Sequence, residues 1–276
     1  MTSPLKMTLY RPPGRLGSYV RAFQVFSAAQ PALVSVLDFG GGDVSVPVCF
    51  GDPVLVEDWG RAAVPSAAVV GPRRQAVWLR FQGRVDQMNI SFFPGAAGAF
   101  VSLPMPELVG QMASPGDAWP RAFREAVAEL EPLPPEQRVA GLAELLLARL
   151  EPGREPRPEV REAVRLIRAS RGRVTVRWLA NEVNLSISQL ERSFAWHVGV
   201  GPKLLARQTR VCALAAEAVG PARPGWASLA VKYGYADQAH LAREFRELTG
   251  LTPARFAAAG SDADFLQDAV ACRRGV

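Results

Sequence analysis

The chain has 276 residues, 49% of them hydrophobic and 21% charged, which is long enough for two domains that each bury a core. It contains no run of about 18 apolar residues that could span a membrane and no apolar stretch near its start that would act as a secretory signal, and its three cysteines, Cys49, Cys212 and Cys272, are too scattered for a disulfide framework or a zinc site, so a reducing cytoplasm is the expected setting. The net charge of +6 is uneven: residues 157–276 hold 18 Lys and Arg against 11 Asp and Glu, a net of +7, while residues 1–156 come to −1.

Residues 1 to about 112 read as short strands and turns. Val44, Val46, Val48 and Phe50 alternate with Ser45, Pro47 and Cys49, the period of a half-buried strand, and Pro47 places that strand at a sheet edge. Turn signals flank it at Gly40-Gly41-Gly42-Asp43 and Gly51-Asp52-Pro53. Val77, Leu79 and Phe81 alternate next, then Met88, Ile90 and Phe92 after a turn at Gly83. Short strands at near-regular spacing predict a small sandwich or barrel. Pro94-Gly95 ends the pattern ahead of a short helix running through Phe100. Phe123, Val127 and Leu130 then mark one amphipathic helix, and Leu142, Leu145, Leu146 and Leu150 a second. The Pro-rich connection at 131–135 predicts that the two pack antiparallel, either covering the barrel or presenting a dimer surface. Residues 151–158, charged and Pro-rich, read as a semi-rigid linker.

A barrel can house a metal enzyme or a ligand cavity. A cupin-type metal site needs several histidines, and the only two, His197 and His240, lie in the basic half. Asp38, Asp43, Asp52, Glu57, Asp58 and Asp86 have no recurring ligand spacing, and Cys49 has no histidine in its half to activate it. No catalytic residue, metal site or cofactor is therefore expected. Binding remains: Trp59, Trp78, Met88 and Phe92 are the candidate lining of an apolar ligand cavity, set against plain core. Arg73, Arg74 and Arg80 are set between an anionic ligand and a solvated surface.

The basic half carries a duplicated pattern. Trp226, Leu229, Ala230 and Tyr233 fall at i, i+3, i+4 and i+7 of a helix that Gly234 ends. Asp237 caps a second helix with Leu241, Phe245 and Leu248 inward and Gln238, Ala239, Ala242 and Arg243 outward, and Thr252-Pro253 starts a third. Upstream, Val176, Leu179, Ala180 and Val183 repeat the first helix, Asn184 takes the place of Gly234, and Ser186 caps with Gln189 in a capping box. Leu190, Arg192, Phe194, Gly199 and Pro202 recur 51 positions later, whereas the offset before the turn is 50, so the second turn holds one residue more. A helix, a tight turn and a helix with a polar outer face form the arrangement that places its second helix in the major groove of DNA.

From about Pro158 to Gly260 these residues resemble the DNA-binding domain of AraC/XylS-type transcriptional regulators, in which a linker helix joins two helix-turn-helix units. The match is best over ASLAVKYGYADQAHLAREFRELTGLTPARF; the first unit departs from it at Asn184, Leu185 and Gly201. The expected fold is α+β with two domains. Residues 1–150 form a cupin-like β-barrel or sandwich with a helical hairpin, 151–158 a linker, 159–260 an all-α double helix-turn-helix domain and 261–276 a tail. The resemblance implies a sequence-specific, effector-responsive activator that binds double-stranded DNA as a homodimer, contacts RNA polymerase, takes a small-molecule effector in its first domain and does not engage a membrane. The alternatives are a cupin-like enzyme with an accessory DNA-binding domain and an architectural DNA binder with no sensor. Arg192 and Arg243 are the expected guanine readers. Ser188, Gln189, Gln238, Ala239 and His240 are expected in the first turns near base edges, and Ser186, Arg207, Arg210 and Arg246 at phosphates.

Overall fold

The computed structural model describes residues 5–29, 33–57, 62–151, 153–219, 222 and 224–259. Asp58, Trp59, Gly260, Cys272 and the tail at 261–276 lie outside the described residues. The expected two-domain α+β architecture holds: an antiparallel β-sandwich is followed by a helical half. One sheet has the order β1 (Lys6–Tyr10), β2 (Val20–Ala28), β9 (Val85–Phe92), β4 (Ser45–Cys49), β7 (Val69–Val70), β10 (Met112–Ala113). The other runs β3 (Val34–Asp38), β8 (Val77–Phe81), β5 (Leu55–Val56), β6 (Ala62–Ala63).

The larger sheet is buried on both faces. Phe23, Val25, Val46, Val48, Met88, Ile90 and Phe92 share one face and pack under α3 (Arg121–Ala128) and α4 (Pro135–Arg149), which contribute Phe123, Val127, Leu142 and Leu146. The apolar faces of both helices are thus spent on the sheet, as the covering reading has it. Trp119 stacks on Phe123 with ring centroids 4.4 Å apart and donates its indole N–H to the Ala67 carbonyl at 2.7 Å. On the other face, one end of the layer between the sheets is apolar, with Phe26, Val36, Val54, Phe81 and Val85. The other end is polar. Gln24, Ser45, Gln87, Asn89 and Ser91 point into a space of about 60 Å³, room for a few waters and well short of the roughly 150 Å³ that holds a benzene. A bulge where Val20 pairs Phe92 and Ala22 pairs Ser91 turns Arg21 toward the same end, where it meets Asp43 at 2.8 Å.

Pro47 corrects the edge assignment: β4 lies inside the sheet between β9 and β7. β7 pairs with it only at Ser45, and the Pro47 carbonyl accepts the Ala67 N–H at 2.6 Å, so no donor is needed from the proline nitrogen on that side. The stretch read as a spacer is also packed. The Glu151 N–H donates to the Ala99 carbonyl at 3.1 Å, Arg154 reaches Ser102 Oγ at 2.6 Å, and Tyr19 Oη donates to Glu155.

In the helical half α5 (Pro158–Ala169) precedes α6 (Val176–Glu182), α7 (Ile187–His197), α8 (Pro202–Ala218), α9 (Trp226–Lys232), α10 (Gln238–Thr249) and α11 (Pro253–Ala259). The duplication is structural. Leu179 and Leu229 are 0% exposed, as are Leu190 with Leu241 and Phe194 with Phe245. Asn184 at φ 54° and Gly234 at φ 75° occupy the same left-handed place. The N–H groups of Leu185 and Tyr235 then donate to the Ala180 and Ala230 carbonyls at the same 2.9 Å. The turns match through that bond, so the extra residue of the second unit is Ala236. α8, about 25 Å long at 1.5 Å per residue, joins the units, and Gly172 at φ 72° passes so close to it that a Cβ would strike the Ala206 carbonyl.

The two halves share a core. Leu37 and Phe39 belong to the cluster that holds Leu241, Phe245 and Phe256, with Trp78 and Ala76 packed against it, and the Phe39 and Phe256 rings meet edge to face at 5.9 Å.

Candidate nucleic-acid interface

α7 and α10 are aimed by their caps and buried stripes. Ser186 Oγ accepts the Gln189 N–H at 3.2 Å, and Gln189 Oε1 accepts the Ser186 N–H at 2.8 Å. Asp237 accepts the His240 N–H at 2.6 Å. With Leu190 and Phe194, or Leu241, Phe245 and Leu248, facing inward, the opposite faces are left to solvent. Ser186, Ser188, Gln189 and Arg192 on the first unit, and Gln238, Ala239, Arg243 and Arg246 on the second, are all exposed; His240 is half-buried with its ring edge-on to Tyr235 at 5.3 Å. Arg192, Arg243 and Arg246 have no ion pair among the described residues. Arg192 and Arg243, the expected guanine readers, thus present open guanidinium groups, and Glu244 is paired elsewhere, with Arg207 and Arg210.

Two expected placements need correction. Arg207 and Arg210 on α8 are not open toward a phosphate. Arg207 Nε meets Glu244 Oε2 at 2.9 Å and its Nη2 meets Glu247 at 2.6 Å, while Arg210 Nη2 meets Glu244 Oε1 at 2.7 Å and its guanidinium lies 4.7 Å over the Tyr235 ring. Tyr235 Oη donates to the same Glu244 oxygen at 2.9 Å. Burial acts to raise the Glu244 carboxyl, but the hydrogen bonds from Arg210 and Arg207 outweigh it and hold the group below the usual carboxylate range. Burial and the neighbouring carboxylate push the Tyr235 phenol up. The second correction concerns Gln189. Its side-chain oxygen already accepts the Ser186 N–H in the capping box, so a two-bond contact to adenine competes with the cap. Gln238, with no such bond among the described residues, keeps both oxygen and amide free.

Tyr235 and Glu244, which the pattern did not single out, join α10 to α8 beside the exposed face. Their counterparts in the first unit are Leu185 and Ser193, which cannot form the same network. Lys203, exposed and unpaired among the described residues, was not singled out either. It lines a groove of about 640 Å³ between the units together with Thr175, Val176, His240 and Arg243. A basic residue directly after the exit proline was the available signal. His197 is half-buried, and burial followed by the nearby Arg157 holds its pKa below the ordinary histidine value.

The four residues expected to line an apolar cavity do not meet. Met88 and Phe92 are 0% exposed and face the helices, on the side of the sheet away from the space between the sheets. Trp78 packs on the second helix-turn-helix unit, and Trp59 lies outside the described residues. The physical reason is strand parity: on β9 the residues that point between the sheets are Gln87, Asn89 and Ser91. Nor are Arg73 and Arg80 solvated surface groups. Arg73 is 8% exposed and ion-paired with Asp38, and Arg80 pairs with Glu57. Cys49 is half-buried, and burial pushes its thiol up to about 11, far from a reactive thiolate. Among the described residues no three His, Cys, Asp or Glu side chains are grouped to hold a metal ion, and no helix is long and apolar enough to cross a membrane.

Residues 179–259 match a family of helix-turn-helix domains, and residues 8–114 match a family described as a domain of unknown function. No curated protein matches the chain. Among solved structures it is similar to ToxT from Vibrio cholerae, at 7% identity over 94% of this chain and 98% of that one with a TM-score of 0.42. It is also similar to unsaturated-fatty-acid-bound ToxT, at 7% identity over 93% and 95% with a TM-score of 0.38. The C-terminal domain of AraT, a response regulator from Geobacillus stearothermophilus, is similar at 23% identity over 37% of this chain and 86% of that one, with a TM-score of 0.34. Duplicated caps, turns and cores, two exposed recognition helices and the match over residues 179–259 make the helical half an AraC-type helix-turn-helix domain, the DNA-binding part of a transcription regulator.

Proposed function

We propose that the protein is a sequence-specific transcription regulator in which α7 and α10 read bases through Arg192 and Arg243. The observation that carries this is a contrast. The two arginines at equivalent places of the duplicated unit are exposed and unpaired among the described residues, while Arg207 and Arg210 beside them are committed to Glu244. An unpaired guanidinium on the outer face of a recognition helix can bond both guanine O6 and N7. Selection of bound sequences from random duplexes by the full chain should recover a site with two short base-specific elements. Recovery of no common sequence would sink the reading.

An effector-responsive activator is the finer form of this proposal, and an interdomain cleft of about 1050 Å³ supports it. Its walls combine Tyr19, Phe93, Pro94 and Ala216 with Arg161, Arg165 and Arg168, and with the acids Asp43, Glu162 and Glu217; Arg165 is paired with Glu162 and Arg161 with Glu155, so a carboxylate with an apolar body would enter by sharing or displacing those partners. Such carboxylates at a hundredfold excess over Kd should stabilise the full chain by about 2.7 kcal/mol, read as a shift of several degrees in a thermal melt. A melt unmoved by any of them would remove the cleft as an effector site. The proposal includes a cytoplasmic homodimer that contacts RNA polymerase and has no enzymatic activity of its own. Because α3 and α4 bury their apolar faces on the sheet, their outer faces around the 40%-exposed Leu147 are what a dimer contact there would use.

A further inference from the structure

One five-residue segment of the first half, Pro72–Ala76, touches all three helices that set the reading geometry. At α7, a Cβ on Gly199 would come within 3.0 Å of Pro72 and 2.9 Å of Val109, so the end of the first recognition helix is seated on the segment and on its neighbour α1 (Met105–Leu108). At α8, the Arg73 carbonyl accepts Gln208 Nε2 at 2.6 Å, a bond formed in the buried interior. At α10, the Ala76 N–H donates to the Leu248 carbonyl at 2.8 Å and Gln75 Nε2 donates to the Glu247 carbonyl at 2.9 Å. These two carbonyls lie in the last turn of a helix, where no partner within the helix exists, so donors from the first half complete the C-terminus of the second recognition helix. The segment is itself fixed from behind, through the Arg73 pair with Asp38 and the Gly110 N–H to Pro72 carbonyl bond at 2.8 Å.

We infer that Pro72–Ala76 is a spacing clamp: it ties the ends of α7 and α10 to one rigid piece of the sandwich, and so makes the first half a determinant of which separation between two DNA elements the protein accepts. α8 alone is a single strut, about which each unit can rock. With the clamp the three helices and the segment form a closed figure: rocking of the second unit requires its hydrogen bonds to Gln75 and Ala76 to break, and rocking of the first unit lifts Gly199 off Pro72. Gln75 and Ala76 are positioning residues, since neither sits on the exposed faces of α7 and α10. The inference rests on the base-reading proposal above.

The test uses the full chain and its selected site, with one or two base pairs added or removed between the two elements. The wild type should lose more than about tenfold in affinity for each such change, the size of one good base contact. Ala76→Pro removes the N–H that bonds Leu248 and puts a ring carbon in its place. It should hold the original spacing to within a few fold while its penalty for altered spacing drops to about threefold or less. Gln75→Ala with Gln208→Met cuts the other two bonds and decides the matter should the proline variant fail to fold. A change in stability alone, with the spacing penalty intact in the folded variants, overturns the clamp and leaves base reading standing. A wild type with no sequence preference overturns both.

Discussion

Replacing Glu244 with alanine should cost about 3–5 kcal/mol, because it strands two arginines that were placed to meet one buried carboxylate. Glu244 is 7% exposed and accepts from Arg207, Arg210 and Tyr235. The arginine side chains keep about a fifth of their surface in water, so partial rehydration places the loss at the low end, near 3 kcal/mol. Glu244→Gln should lose less, since the amide oxygen still accepts. The pH dependence has a definite sign. The carboxyl is held below its unfolded value, so its contribution is present above the ordinary glutamate range near 4.3 and disappears as pH falls through the folded value. Thermal melts taken stepwise downward from pH 7 should therefore keep wild type above Glu244→Gln through the ordinary glutamate range and bring the two together only at more acid pH, below the folded carboxyl's depressed value. Equal melting temperatures of wild type and Glu244→Ala at pH 7 would show that the network contributes nothing net.

The double variant Arg192→Ala with Arg243→Ala should lose about 2–6 kcal/mol on the selected site, since each arginine is assigned about 1–3 kcal/mol of base discrimination and the two sit on separate units. Its melting temperature should stay that of the wild type, because both side chains are exposed and unpaired among the described residues. Each single variant should relax preference at a different base position, which repeat selection would reveal. Unchanged preference at every position would remove both arginines from direct readout. Arg210→Ala now carries a different expectation from that of a phosphate contact: it opens the Glu244 network, so loss of stability should accompany any loss of DNA affinity.

The helical half was legible because its signals are local. A 3.6-residue apolar period, a cap and a left-handed turn residue each involve neighbours in sequence, and the duplication let Asn184 be read against Gly234. The sandwich was legible as strands but not as faces. On β9 both sets of alternating side chains are buried, one under helices and one between sheets. Hydrophobicity points to Met88, Ile90 and Phe92 as inner residues, whereas the inner positions are Gln87, Asn89 and Ser91. The pairing of Arg207 and Arg210 with Glu244 was hidden for another reason. The partners are 37 and 34 residues apart and meet only because α8 and α10 pack in one register, which no periodicity encodes. The contacts of Pro72–Ala76 with the helical half were hidden in the same way, since they use backbone groups that every residue type carries.

The single extra residue, Ala236, makes the two units unequal. Two identical units on α8 would read a repeat, and a repeat can be bound in more than one phase. Here the second recognition helix starts one residue later after an otherwise identical turn, on a cap of different chemistry, and is braced by a charge network that its twin lacks. The pair is therefore unequal at its base-reading faces, with Ser188 and Gln189 on one side and Gln238, Ala239 and His240 on the other. Under the base-reading proposal, one copy alone is expected to lie on its site in a single orientation, which footprinting of the selected site and of its reversed form would check.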